Sequence, residues 1–349
     1  MFSTHKRMAR LGFSLALGVL SIVGNPGGYE SSLPAAVAQG ALTTPIRIAY
    51  GPDPLQFGDL RIPSGPGPHP VAVVIHGGCW LNLFGLDLMN DMSDVLTDAG
   101  LATWNIEYRR LGDPGGGFPN TLTDVGMAVD KVRDLAPTYD LDLSQVITIG
   151  HSAGGHLGSW AAARPQLPSG DPLRSADPLP LDAAVSLAGI LNLAEGEELN
   201  VCNGLIPVLM GGTPAQVPER YAQASPSEFL PLGLQQTLIH ANDDPIVPLE
   251  MSEHYRKAAR DAGDDDVKLK RIPPQPLQCH RSSGTGVAEG VRGDPPSLRI
   301  RRGDRKYEGV AQVLIPCWTS APRDSSMEEE CSRRFCLLHI LHGVVNQHL

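Results

Sequence analysis

A mainly parallel α/β sheet with helices on both faces is the fold class that this sequence predicts, and three observations carry the prediction. Strand-like and helix-like runs alternate from Ile46 to Pro273, the pattern expected when successive strands are joined by helical crossovers. A serine stands between glycines in Gly150-His151-Ser152-Ala153-Gly154, directly after the strand-like run Gln145–Ile149 and before a run rich in Ala and Leu. A second glycine-rich turn, His76-Gly77-Gly78-Cys79-Trp80, closes the apolar run Val71–Ile75 upstream.

The elements follow in order. Ile46–Tyr50 and Gln56–Arg61 read as leading antiparallel strands, and Val71–Ile75 as a strand buried on both faces. A helix around Leu88–Ala99, a strand over Ala102–Glu107 and a helix over Thr123–Leu135 come next. Gln145–Ile149 leads into the serine, Leu157–Arg164 is the helix after it, and Ala183–Leu187 is the next strand. Between Gly189 and Pro226 the chain turns rich in Gly, Pro and Asn with helical fragments, and a small cap insertion is expected there. Thr237–His240 is a short strand, Leu249–Ala262 an amphipathic helix, and Val267–Pro273 the last strand.

The serine motif bears on chemistry. A nucleophile on a tight strand-to-helix turn needs small residues two before and two after it, because larger side chains would collide with the neighbouring strand and helix. Gly150 and Gly154 stand at those places. A carbonyl attacked by Ser152 would develop negative charge on its oxygen, which N–H groups fixed in a glycine-rich loop stabilise without reorganising. The candidate donors are Ala153, at the positive end of the new helix, and Gly78 or Cys79. Asp243 and Asp244 follow the strand Thr237–His240. An acid at that strand end is placed to orient a histidine; alternatively the two aspartates cap a turn before the next helix.

His76–Trp80, Trp104–Arg110, Gly150–His156 and Asp243–Pro248 together resemble the α/β-hydrolase superfamily. The resemblance is to the small esterase branch with an HGG-x-W loop, which includes kynurenine formamidase-like and feruloyl esterase-like proteins, and it spans Ile46 to Ile272. It implies an α/β-hydrolase fold, a Ser, Asp, His triad in that chain order, no cofactor, and hydrolysis of short acyl esters or amides through an acyl-enzyme on Ser152. Asp244 matches the family's D-x-x-V-P position.

The histidine is where the sequence departs from that family. After the last strand the family has a short loop of the form glycine, small residue, Gly or Ser, His, Phe; here Pro274-Gln275-Pro276-Leu277-Gln278-Cys279-His280-Arg281 stands instead. His280 is the candidate base by proximity. A shifted reading frame accounts for the break. Pro276–Arg281 can be written CCA CTT CAA TGT CAT CGC, and dropping the first base yields His-Phe-Asn-Val-Ile, the family's loop. On this hypothesis residues 274–349 are an out-of-frame product, and sequencing the locus tests it: codons incompatible with the second frame would remove it.

The remaining signals bound the setting. Residues 274–349 show no sustained period and are expected to be poorly ordered. Cys331, Cys336, His339 and His342 spread over more than one helical face, which disfavours a zinc site. Lys6, Arg7 and Arg10 precede the apolar run Leu11–Val23, and Ala36-Val37-Ala38 fits a cleavage site. Residues 1–38 therefore read as a signal peptide of an exported protein, periplasmic or secreted, with no stable membrane span after cleavage; an uncleaved anchor is the alternative. Residues 46–273 form the catalytic domain of this reading, and Cys79 and Cys202 are its two cysteines. An oxidising compartment would let them pair, but their spacing leaves the pairing open. The net charge of −10 disfavours nucleic acid as a partner and leaves a small-molecule ester or amide. Oligomeric state is open.

Other residues carry plainer expectations. His156 belongs to the core, His151 lies beside the nucleophile, and Trp80 is packing or a pocket wall. Gly115-Gly116-Gly117 is a mobile loop and not a phosphate cradle. Glu107, Arg109 and Arg110 form an ion pair under the loops. Two rival functions stand beside the hydrolase: a catalytically impaired protein of the same fold lacking the family histidine, and a serine peptidase of the prolyl-oligopeptidase type, which shares the elbow and the Asp-x-x-Val spacing. No repeat of a propeller kind precedes the domain, which weakens the peptidase.

Overall fold

A computed structural model of the protein describes residues 44–273. Its strands are β1 Ile46–Ala49, β2 Phe57–Arg61, β3 His69–Ile75, β4 Ala102–Ile106, β5 Leu141–His151, β6 Ala183–Leu187, β7 Gln235–Ala241 and β8 Val267–Ile272. They form one sheet in the order β1-β2-β4-β3-β5-β6-β7-β8. β2 runs antiparallel to both neighbours and every other pairing is parallel. The helices are α1 Asn90–Asp98, α2 Asn120–Tyr139, α3 Ala153–Ala163, α4 Leu193–Glu198, α5 Leu205–Met210, α6 Pro218–Ala224 and α7 Leu249–Asp261.

Alternation along the central strands explains why both faces are covered. Val71, Val73 and Ile75 of β3 join the apolar cluster that holds residues of α2, α3 and α7, while Ala72 and Val74 join Met92 and Leu96 of α1 on the other side. Side chains in a strand alternate between faces, so a strand buried on both reads as one unbroken apolar run. β3 and β5 are adjacent and in register, with Ile75 opposite Gly150. The turns that leave their carboxyl ends therefore start within one residue of each other. The insertion between β6 and β7 contains α4, α5 and α6, the cap predicted from its composition. Asn192 caps α4 by accepting from the N–H groups of Ala194 and Glu195.

Three of the element bounds that differ from the expectation bear on the site and its support. α2 extends beyond Thr123–Leu135 at both ends, running through Pro137 and closing on Asp140 in the left-handed conformation. Gly126 lies inside it because an added Cβ would stand 2.6 Å from Nη1 of Arg164, whose guanidinium pairs with Asp130. β5 begins at Leu141, ahead of Gln145; in the added part Leu141 is buried, while Leu143 and Ser144 are exposed. α3 begins at Ala153 and not at Leu157, so Gly154 and Gly155 form its first turn. The Gly115–Gly117 loop, expected to be mobile, is a tied turn: Asn120 Nδ2 donates to the Gly115 carbonyl at 2.8 Å, and the Phe118 N–H donates to Leu209 O at 2.8 Å.

Candidate active site

Ser152 joins β5 to α3 with φ 53° and ψ −116°, a conformation that costs a non-glycine residue about 1–3 kcal/mol and persists only where its surroundings fix it. Two bonds do so: its N–H donates to Leu187 O at 2.8 Å, and its carbonyl accepts from His156 N at 3.1 Å. The flanking glycines are set by backbone contact. A Cβ on Gly150 would overlap the Gly154 carbonyl, and one on Gly154 would overlap the Ile75 carbonyl and approach His76 O to 2.6 Å. Ala153 is the first residue of α3, so its N–H has no acceptor within the helix.

The turn after β3 passes alongside. A Cβ on Gly77 would lie 3.2 Å from Cβ of Ser152 and 3.0 Å from Nδ1 of His151. Gly78, Cys79 and Trp80 follow with φ of 103°, 50° and 56°, three consecutive residues in the left-handed region. Trp80 is fully buried with its ring edge-on to His156 at 5.5 Å, so it is packing and not a pocket wall. Its carbonyl accepts from Leu111 N at 2.7 Å. Cys79 contributes neither its N–H nor its carbonyl to a hydrogen bond among the described residues. Its sulfur is joined to Cys202 in the cap, a pairing that the spacing alone leaves open.

A polar layer holds this turn from below. The buried His76 ring places Nδ1 2.8 Å from Gly77 O and Nε2 2.9 Å from Oε1 of Glu107. It stacks on Tyr108 at 4.4 Å, and the Tyr108 hydroxyl donates to His76 O at 2.9 Å. Glu107 also accepts from the N–H groups of Leu86 and Tyr108 and pairs with Arg110 at 3.1 Å. Burial pushes its pKa up, but the His76 hydrogen bond and the charges of His76 and Arg110 hold it below the ordinary value. The expected ion pairing is thus found for Glu107 and Arg110. Arg109 instead grips the buried Asp124 through two nitrogens, at 2.6 and 2.8 Å.

Asp244 sits in the turn after β7. Its Oδ1 accepts from the N–H groups of Ile246 and Val247, each at 2.9 Å, which is the turn-capping alternative. Its Oδ2 lies 4.0 Å from Nε2 of His240. His240 is buried and both ring nitrogens are occupied, Nε2 donating to Val247 O at 2.8 Å and Nδ1 facing the Ser252 hydroxyl at 2.7 Å. Asp243 is exposed. His151 is half-buried; burial lowers its pKa, the Asp244 charge opposes this, and His240 adds to the lowering. His156 is a core histidine whose Nε2 meets Ala224 O at 2.9 Å. His280, the signal region 1–38 and the tail 274–349 lie outside the described residues.

Ser152, the Gly77–Cys79 turn and Asp244 thus follow the carboxyl ends of β5, β3 and β7. The BD-FAE family model matches residues 59–258. The chain belongs to the BD-FAE family. Among curated relatives, this BD-FAE chain is 26% identical over 227 residues to the probable isoprenylcysteine alpha-carbonyl methylesterase ICME of Oryza sativa subsp. japonica, covering 62% of this chain and 54% of that protein. It is 27% identical over 210 residues to esterase LipQ of Mycobacterium tuberculosis, covering 58% of this chain and 49% of that one. The chain spans about half the length of the curated relatives it matches. Among solved structures, a bifunctional GH43-CE protein of Bacteroides eggerthii aligns with TM-score 0.57 and 26% identity, over 64% of this chain and 34% of that one. A truncated carbohydrate esterase from gut microbiota aligns with TM-score 0.60 and 23% identity, over 68% and 90%. The BD-FAE domain thus has the α/β-hydrolase fold, with the mainly parallel sheet, helices on both faces and small cap described above.

Two parts of this BD-FAE site escape sequence reasoning. The His76–Glu107 contact spans 31 positions, and its only trace is a charged residue at a strand end. The disulfide had a stronger signal, since a domain with two cysteines offers a single pairing.

Proposed function

We propose that the protein is a serine hydrolase that cleaves short acyl esters through an acyl-enzyme on Ser152. The observation that supports it best is the meeting of a left-handed Ser152 with the Gly77–Cys79 turn at its side chain, next to the free first-turn N–H of α3. Ser152 Oγ attacks the ester carbonyl carbon as its proton passes to a histidine base. The N–H groups of Ala153 and of Gly78 or Cys79 receive the oxyanion. The alcohol leaves with that proton, and water repeats the sequence to free the acid. Asp244 uses Oδ1 to hold its own turn, which leaves Oδ2 to orient the histidine, and His280 is the candidate for that base. Amides are the finer extension of the same chemistry, and export through residues 1–38 is the setting.

A second reading is favoured by one observation. Among the described residues no histidine hydrogen-bonds Ser152 Oγ or Asp244 Oδ2, and the nearest to that carboxylate, His240, has both nitrogens engaged. If His280 does not supply the base, the chain is an impaired hydrolase whose residual rate is about a thousandfold over water. Hydrolysis of p-nitrophenyl acetate by the full chain, with Ser152→Ala and His280→Ala beside it, tests both. Turnover lost in both variants supports the complete triad; turnover lost only in Ser152→Ala removes His280 from it; the same low residual rate in all three supports the impaired protein.

A further inference from the structure

The cap is tied to the turn beside Ser152 by a disulfide, and that tie has a chemical consequence. Cys79 and Cys202 are 123 positions apart in sequence with Cα atoms 5.7 Å apart. On the Cys79 side, three left-handed residues run in series, two of them non-glycine, and such residues relax toward ordinary conformations unless neighbours prevent it. The constraint is uneven. Gly78 O accepts from Leu81 N at 2.9 Å and Trp80 O from Leu111 N at 2.7 Å, whereas the backbone of Cys79 between them has no hydrogen bond among the described residues. Its side chain is what holds it.

The Cys202 side is an anchored partner. Asn200, Cys202, Asn203 and Gly204 have φ of 52°, 59°, 52° and 78°. This turn leads into α5, where Ile206, Leu209 and Met210 are buried, and Leu209 O accepts from Phe118 N at 2.8 Å. Cys202 itself is buried. A bond from a fixed wall to a residue with an unbonded backbone sets where that residue's N–H points.

We propose that Cys202 is a positioning residue: through its disulfide it aims the Cys79 N–H at the developing oxyanion, so that the site is competent only when the pair is oxidised. This rests on the serine-hydrolase reading above. It joins the chemistry to surroundings that preserve disulfides.

The test compares the full chain with Cys202→Ser and with wild type reduced by a phosphine and alkylated, the second serving if the variant does not fold. Hydrogen exchange in peptides covering residues 76–86 should be about tenfold faster in both, with α3 peptides unchanged, because the loop opens locally. The kcat for p-nitrophenyl acetate should fall about tenfold to a hundredfold with KM within about threefold, since a misaimed oxyanion donor acts on the transition state. Reoxidising reduced, unalkylated protein with oxidised glutathione, which is converted to two thiols as the bond re-forms, should restore the rate. Phenylboronic acid, a tetrahedral adduct former, should bind about tenfold more weakly to the variant, and this readout and the exchange serve even where turnover is absent. Unchanged loop exchange, or a loosened loop with unchanged kcat or phenylboronate affinity, overturns the proposal. A Ser152→Ala variant that keeps the wild-type rate overturns the hydrolase reading instead, and the exchange arm still decides whether Cys202 holds the loop.

Discussion

Oε1 of Glu107 lies 2.9 Å from Nε2 of His76, directly below the turn that passes Ser152. The same carboxylate receives two backbone N–H groups and Arg110. Removing it strands several buried donors at once, and breaking such a buried pair costs about 3–5 kcal/mol. Glu107→Ala should therefore lower stability by about that amount in urea unfolding, with Glu107→Gln losing less because the amide oxygen still accepts.

Asp244 and its exposed neighbour Asp243 allow the proposed acid to be tested with a control beside it. Asp244→Asn keeps an oxygen to accept from Ile246 and Val247 but removes the charge that would stabilise an imidazolium, so kcat for p-nitrophenyl acetate should fall by about 10⁴. Asp243 is exposed, and Asp243→Asn should stay within about twofold, as surface substitutions away from special features usually do.

Gly154 packs against main chain, which cannot swing aside. Gly154→Ala would press its methyl onto the Ile75 and His76 carbonyls, and overpacking of this kind costs about 3 kcal/mol. Gly158→Ala, whose methyl would meet Thr148 Cβ at 3.3 Å, should cost less. Thermal unfolding of the two variants ranks them.

Acid should destabilise the fold through His156. Burial lowers its pKa to about 4, against the opposing pull of its bond to Ala224 O. Between pH 6.5 and 4 the unfolded chain binds this proton and the folded one does not. The stability is thus complete above 6.5 and is lost as the pH falls toward 4, by about 3 kcal/mol in all. His151 and His240 are shifted in the same direction. Urea midpoints from pH 7 to 4.5 should fall, and His156→Gln should flatten that fall.

How much of this was legible depends on the range of each interaction. Val71–Ile75 was readable because burial on both faces leaves a continuous apolar run. Leu141–Ser144 was not, since Asp142 and Ser144 interrupt the apolar pattern at the start of β5. Pro137 hid the carboxyl end of α2, since a proline inside a run reads as a helix stop. At the site, Ser152 and Asp244 lie within short motifs whose spacing reports local turns. Glu107 beneath His76 and Cys202 beside Cys79 meet through the tertiary fold, across 31 and 123 positions, and no local pattern encodes such a meeting.

Ile75 and Gly150 face each other on neighbouring parallel strands and form the last pair between β3 and β5, with Ser152 two residues beyond. The ladder between β3 and β5 thus acts as a ruler: a slip of two residues would keep every side chain on its proper face yet carry one turn about 7 Å past the other. Fidelity of strand pairing during folding, long before any substrate arrives, decides whether the serine and its neighbouring turn meet.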